Sequence, residues 1–183
     1  MERTKNTDKT VVEFLSLHEK KGNLQMDVII REAKETDLQL VRKYTVETGW
    51  TTVLSENERK QLDKEKWTKH ILEGFERLSK RETDRIFVAE DESHTFLGYL
   101  WIGEGSNMMT GLKHGYVYDV FVKEEFRGRG IGKMLLEKAE SYCRKRGYSR
   151  ILLMVSVSNQ AAISLYDNIG FKAEQTYMAK VLG

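Results

Sequence analysis

The stretch that most constrains the fold is "HGYVYDVFVKEEFRGRGIGKMLLEKAESYCRKRGY", residues 114–148. Its first part, aromatic and β-branched, reads as a strand. Gly128, Gly130 and Gly132 then alternate with Arg129 and Ile131. An apolar-periodic run of Ile131, Leu135, Ala139 and Tyr142, with Met134 beside them, follows at once and ends near Gly147. Strand, glycine loop and amphipathic helix in that order belong to an α/β layered domain. The first N–H groups of a helix lack intrahelical partners, and the helix dipole puts partial positive charge there. Glycines before it permit positive φ and close backbone approach. With Arg127, Arg129 and Lys133 in the same few residues, the loop is physically a phosphate cradle. On the glycines alone it could equally be only a turn.

Two familiar phosphate loops do not fit. A G-x-x-x-x-G-K-[ST] loop finds its last glycine and lysine in Gly132 and Lys133, but has Arg127 for the first glycine and Met134 for the hydroxyl. A dinucleotide G-x-G-x-x-G started at Gly128 ends on Lys133, and the strand before it does not open the fold.

Around this unit the chain reads as one domain. "DVIIREA" is a first strand, and Thr36 and Asp37 can cap a helix to about Thr48 with Leu38, Val41 and Tyr44 on one side. "SENE" at Ser55–Glu58 is a capping box opening a helix through Trp67, Ile71, Phe75 and Leu78. "RIFVAEDE" and "TFLGYLWIGEG" form a hairpin about "DESH". "RILLMVSV" is a continuously apolar strand expected to be buried on both faces. "NQAAISLYDNIG" is a short helix stopped by Gly170, and "FKAEQTYMAKVLG" a terminal hairpin. The order is β-α-α-β-β-β-α-β-α-β-β, an α/β domain with a mixed central sheet flanked by helices. Residues 1–26 are polar; either Met26 starts the core domain behind an appendage, or "TVVEFLSLHEKK" is a short helix packed on the body.

R-x-x-G-x-G is present at Arg127, Gly130 and Gly132. Between "YDVFVKEEF" and the amphipathic helix, it resembles motif A of the GNAT superfamily of N-acetyltransferases. A second block, "SNQAAISLYDNIGF", resembles the family's N-x-x-A-x-x-L-Y-x-x-x-G-F at Asn159, Ala162, Leu165, Tyr166, Gly170 and Phe171. The resemblance covers about residues 27–183, taken as the N-acetyltransferase domain, and leaves 1–26 as an N-terminal extension. It makes the expected anion the pyrophosphate of coenzyme A, with acetyl-CoA as co-substrate.

The resemblance implies these roles. Backbone N–H groups of Arg127, Gly128, Arg129, Gly130, Ile131, Gly132 and Lys133 hold the pyrophosphate. The strand before the loop splays from its neighbour, and main-chain groups of Val120 and Val122 pair with the pantetheine arm. Asn159 bonds that arm, or caps its helix, or both. Tyr166 lies near the coenzyme sulfur as general acid. Asp119 is the candidate base; Tyr118 lies on the same strand, and Tyr116 where some relatives have glutamate. Strand alternation puts Tyr116 and Tyr118 on the face opposite Asp119, and His114 reads as an exposed surface residue. Glu124 stands where many members carry proline.

Thirty basic and 28 acidic residues give a net charge of +2, no basis for a nucleic-acid partner. No apolar run is long enough for a membrane span, and no signal peptide is apparent. The single cysteine, Cys143, forbids an intrachain disulfide and cannot build a metal site alone. A cytoplasmic, metal-free protein is the expectation. The acceptor is a small-molecule amine or a protein amine, the former favoured, with "GEGSNMMTGLK" a mobile loop over it. Terminal strands often pair subunits in this family, which makes a homodimer a further expectation. The alternative function is a non-catalytic acyl-CoA sensor or regulatory domain, and a longer acyl donor also stays open.

Overall fold

The computed structural model describes residues 27–176 and 178–180. Both readings of the leading segment therefore lie outside the described residues.

Five strands form one mixed sheet in the order β1-β2-β3-β4-β5. They are β1 (Val28–Glu32), β2 (Arg85–Asp91), β3 (Phe96–Ser106), β4 (Lys113–Val122) and β5 (Ile151–Leu153). The first three pairings are antiparallel, and β4 pairs with β5 in parallel. The β2–β3 hairpin turns where expected, because Asp91 Oδ1 accepts from Ser93 N and Thr95 N at 2.9 and 2.8 Å. Helices α1 (Leu38–Thr48), α2 (Glu56–Gln61) and α3 (Lys64–Ser79) precede β2; α4 (Ile131–Lys145) and α5 (Gln160–Asn168) flank β5. The sheet separates two apolar layers. One holds Leu97, Leu100, Ile102 and Val117 against Ile131, Leu135, Leu136 and Ala139 of α4. The other holds Val88, Tyr99 and Trp101 against Val41 of α1 and Phe75 of α3.

Four expectations are corrected. Ser55 and Glu58 form the capping box, with Ser55 Oγ accepting from Glu58 N at 3.2 Å and Glu58 Oε2 from Ser55 N at 2.8 Å. That box opens only the six-residue α2. The chain extends at Leu62, and Asp63 caps a separate α3 by accepting from Lys66 N at 2.9 Å. β5 is a half-buried strand of three residues rather than a doubly buried one. Beyond it Met154 and Val157 are 77% and 81% exposed, because no described strand lies outside β5 to cover them. No strand forms among the described residues after Phe171, where so short an edge offers little to pair with. Finally, most of "GEGSNMMTGLK" is ordered hairpin. Gly103–Ser106 belongs to β3, and Asn107 Oδ1 ties the turn by accepting from Met109 N and Thr110 N.

Candidate active site

β4 and β5 share only three paired positions, Gly115–Ile151, Tyr116–Leu152 and Val117–Leu153. From Tyr118 to Val122 β4 continues beside β3 alone, so the edge that faced β5 is open. This is the splay the sequence implies, and Val120 and Val122 lie on it. Their side chains pack on the α4 layer, which leaves the main chain as the part available to a partner. In this structure the Val122 carbonyl accepts from Arg127 Nε at 3.0 Å.

The loop after β4 begins with a 3-10 turn, Glu124–Phe126, formed without the family's proline. Gly128 and Gly130 adopt φ of 75° and 78°, the left-handed region in which a side chain is strained. Around Gly128 the space for a Cβ is empty. Gly132 is needed for another reason: a Cβ there would lie 3.0 Å from Leu165 Cδ2, so α4 begins in close contact with α5. Arg127, Gly128, Arg129, Gly130 and Lys133 are all exposed. Arg129 rests over the Phe126 ring at 5.5 Å and donates to the Glu125 carbonyl at 3.2 Å, while Lys133 lies 3.8 Å from Glu137.

The start of α4 differs from those of α2 and α3. Ser55 and Asp63 cap the latter two, but no side chain caps α4, and its first turn carries no acidic residue. The first helical bond runs from Met134 N to the Gly130 carbonyl at 3.1 Å. The N–H groups of Ile131, Gly132 and Lys133 therefore precede any α-helical partner. An uncapped helix end behind two left-handed glycines is an arrangement that can receive an anionic group.

Asp119 sits where β4 parts from β5. Trp101 pairs with Asp119 and Ile102 with Val117, so Tyr118 is an extra residue in a β-bulge. The bulge resets the alternation, and this overturns the expectation that Tyr118 and Asp119 face opposite sides. Tyr118 packs at a tilt against Trp101 with ring centroids 4.8 Å apart, in the α1/α3 layer. Asp119 reaches the same layer, where Tyr99 Oη donates to Asp119 Oδ2 in a short hydrogen bond. Burial raises the Asp119 carboxyl to about 6, against the Tyr99 hydroxyl, the nearby Thr45 hydroxyl and the Val120 N–H, which favour the charged form.

Tyr166, on α5, is half-buried beside Phe171, with ring centroids 5.7 Å apart. Burial first, and then the Asp119 charge, push its hydroxyl up to about 12. The two residues expected to share the chemistry thus feel one another electrostatically. Asn159 caps α5, its Oδ1 accepting from Ala162 N at 3.2 Å. His114 is not a surface residue: it is buried against Gly105, whose missing side chain leaves room for the imidazole. Tyr99 and Thr45, the hydroxyls around Asp119, carry no sequence signal, because each lies in an otherwise ordinary apolar element.

Comparison with known proteins points to one family. The model of the acetyltransferase (GNAT) family matches residues 49–171. An uncharacterized N-acetyltransferase of Methanocaldococcus jannaschii is 33% identical over 115 residues, 61% of this chain and 48% of that protein. A mycothiol acetyltransferase of Renibacterium salmoninarum is 34% identical over 86 residues, 47% of this chain and 25% of that protein. The matched regions thus cover about half the length of one relative and a quarter of the other. A putative acetyl transferase from Pyrococcus furiosus superposes with a TM-score of 0.72 at 29% identity, over 85% of this chain and 100% of that one.

Proposed function

Because the chain belongs to the GNAT family of acetyltransferases, we propose that it moves an acetyl group from acetyl-CoA to a primary amine by direct attack in a ternary complex. A small-molecule acceptor is favoured over a protein amine, and residues 27–183 form the catalytic domain. The observation that carries the reading is a convergence. The uncapped start of α4 lies at Gly132 against Leu165 of α5 and Val122 of the open β4 edge, beyond the point where β4 parts from β5.

The glycine loop and the N–H groups of Ile131, Gly132 and Lys133 receive the pyrophosphate, and Arg127, Arg129 and Lys133 add charge around it. An Arg127 side chain that turns toward the pyrophosphate releases the Val122 carbonyl to the pantetheine arm, so one movement serves both contacts. A main-chain N–H of the open edge near Val122 is placed to donate to the oxyanion that forms as the amine adds to the thioester.

A lysine-like amine must lose a proton before it attacks, at a cost of about 4–5 kcal/mol at neutral pH. Asp119, with its carboxyl at about 6, is ionised at pH 7 and a stronger base than an ordinary aspartate. Tyr166 stays protonated through the neutral range and donates to the departing thiolate. Its proton is held partly by the Asp119 charge. Once Asp119 has taken the amine's proton that charge is gone, and Tyr166 becomes the better acid at the step that needs one.

Calorimetry of coenzyme A and acetyl-CoA, with wild type and Gly130→Glu, tests the cradle. Micromolar-range binding by wild type that is lost in a folded Gly130→Glu variant is expected. A folded wild type that binds neither ligand refutes the reading. Binding justifies a screen of small amines and peptide amines with acetyl-CoA, which decides the acceptor class.

A further inference from the structure

The reading of Asp119 as base leaves a question that the surrounding structure answers: what keeps a half-buried carboxylate ionised and in place without a basic side chain. Tyr99 is completely buried in the middle of β3, and burial, together with the neighbouring Asp119 charge, raises its hydroxyl well above 10. It is therefore a permanent donor with a single proton, and that proton goes to Asp119. Thr45, from α1, lies with Oγ1 2.8 Å from the Tyr99 hydroxyl. Since the Tyr99 proton is already committed, Thr45 is the donor in that contact.

We propose that Tyr99 and Thr45 are positioning residues for Asp119, a buried hydroxyl pair that fixes the carboxylate and sets the pH at which it takes up a proton. The proposal rests on the Asp119 base assignment. The groups that act on the carboxylate are Tyr99 from β3, Thr45 from α1 and the Val120 N–H from β4, and its charge in turn acts on Tyr166 from α5. None of these is a cation. Protonating Asp119 leaves it one acceptor oxygen, so Tyr99 can still donate to it, but to a neutral oxygen instead of an anionic one, which is the weaker bond. The chain of donors therefore resists protonation as a unit. It also ties α1 to β4 through side chains alone, so a shift of α1 is transmitted to the base.

The test is a carboxyl NMR titration of isotope-labelled Asp119 beside pH profiles of kcat/KM, in wild type, Tyr99→Phe, Thr45→Val and Thr45→Ser. Tyr99→Phe keeps the ring that fills the core and removes only the hydroxyl. The Asp119 midpoint is expected to rise from about 6 by about 1 pH unit or more in Tyr99→Phe. The acid limb of kcat/KM should move with it, and most of the lost rate should return above pH 8. Thr45→Val should shift both in the same direction by less, and Thr45→Ser should match wild type. An unmoved midpoint in folded Tyr99→Phe, or a serine variant that behaves as valine does, overturns the proposal. A midpoint that moves while the rate limb stays fixed overturns Asp119 as the base, and the catalytic role of the hydroxyl pair falls with it.

Discussion

Asp119→Asn is expected to make the protein more stable at pH 8 while removing most of its activity. A carboxyl that titrates near 3.8 when solvated and at about 6 in the fold holds its proton more tightly in the folded state. Below pH 3.8 both states are protonated, and the group costs nothing. Between 3.8 and 6 the folded protein must ionise a half-buried group, and stability falls as pH rises. Above 6 the full penalty applies, about 3 kcal/mol at 1.36 kcal/mol per pKa unit, taken as an upper figure. Asparagine cannot ionise and still offers an oxygen to the Tyr99 hydroxyl. Denaturant unfolding of both proteins from pH 4 to 8 reads the effect directly, because all other titrating groups cancel in the difference. The stability difference should turn in favour of asparagine by roughly 2–3 kcal/mol between pH 4 and pH 7. A difference that does not change with pH would show that the carboxyl is not held in a half-buried, charged state and would sink the case for a tuned base.

Gly115→Ala would place a Cβ 2.2 Å from Cys143 Sγ, on a strand residue whose N–H is bonded to the Arg150 carbonyl at 2.9 Å and cannot withdraw. A loss of about 1–3 kcal/mol is expected, largely recovered by adding Cys143→Ala; strictly additive losses in thermal unfolding would contradict this packing. Tyr166→Phe should lower kcat by about 100-fold with little change in the KM for acetyl-CoA. An unchanged kcat would remove Tyr166 from the chemistry.

What the sequence revealed divides by distance along the chain. The Ser55–Glu58 box, the Asn159 cap and the positive φ of Gly128 and Gly130 are local devices settled within a few residues, and that local geometry is present. The Tyr118 bulge could not be read, because alternation arguments assume an unbroken strand register and one inserted residue reverses every face after it. Tyr99 and Thr45 were invisible because their partner is set by a sheet register and a helix packing that join residues 20 and 54 positions apart. His114 read as surface because its concealment depends on Gly105 across the strand pair. Two C-terminal strands were expected from composition alone, which says nothing about whether an edge exists for them to join.

The bare start of α4 has a consequence for the rest of that helix. A side-chain cap contributes about 1 kcal/mol, and α4 forgoes one at its N-terminus. Its hold on the sheet comes instead from depth. Ile131, Met134, Leu135, Leu136, Ala139 and Cys143 are all buried, whereas α1 and α3 each bury one residue to that degree. The helix is moored along its length, which lets its tip go without a side-chain cap. Substitutions along that buried stripe should therefore be felt first at the loop, as lost alignment of amide groups, before the domain itself gives way.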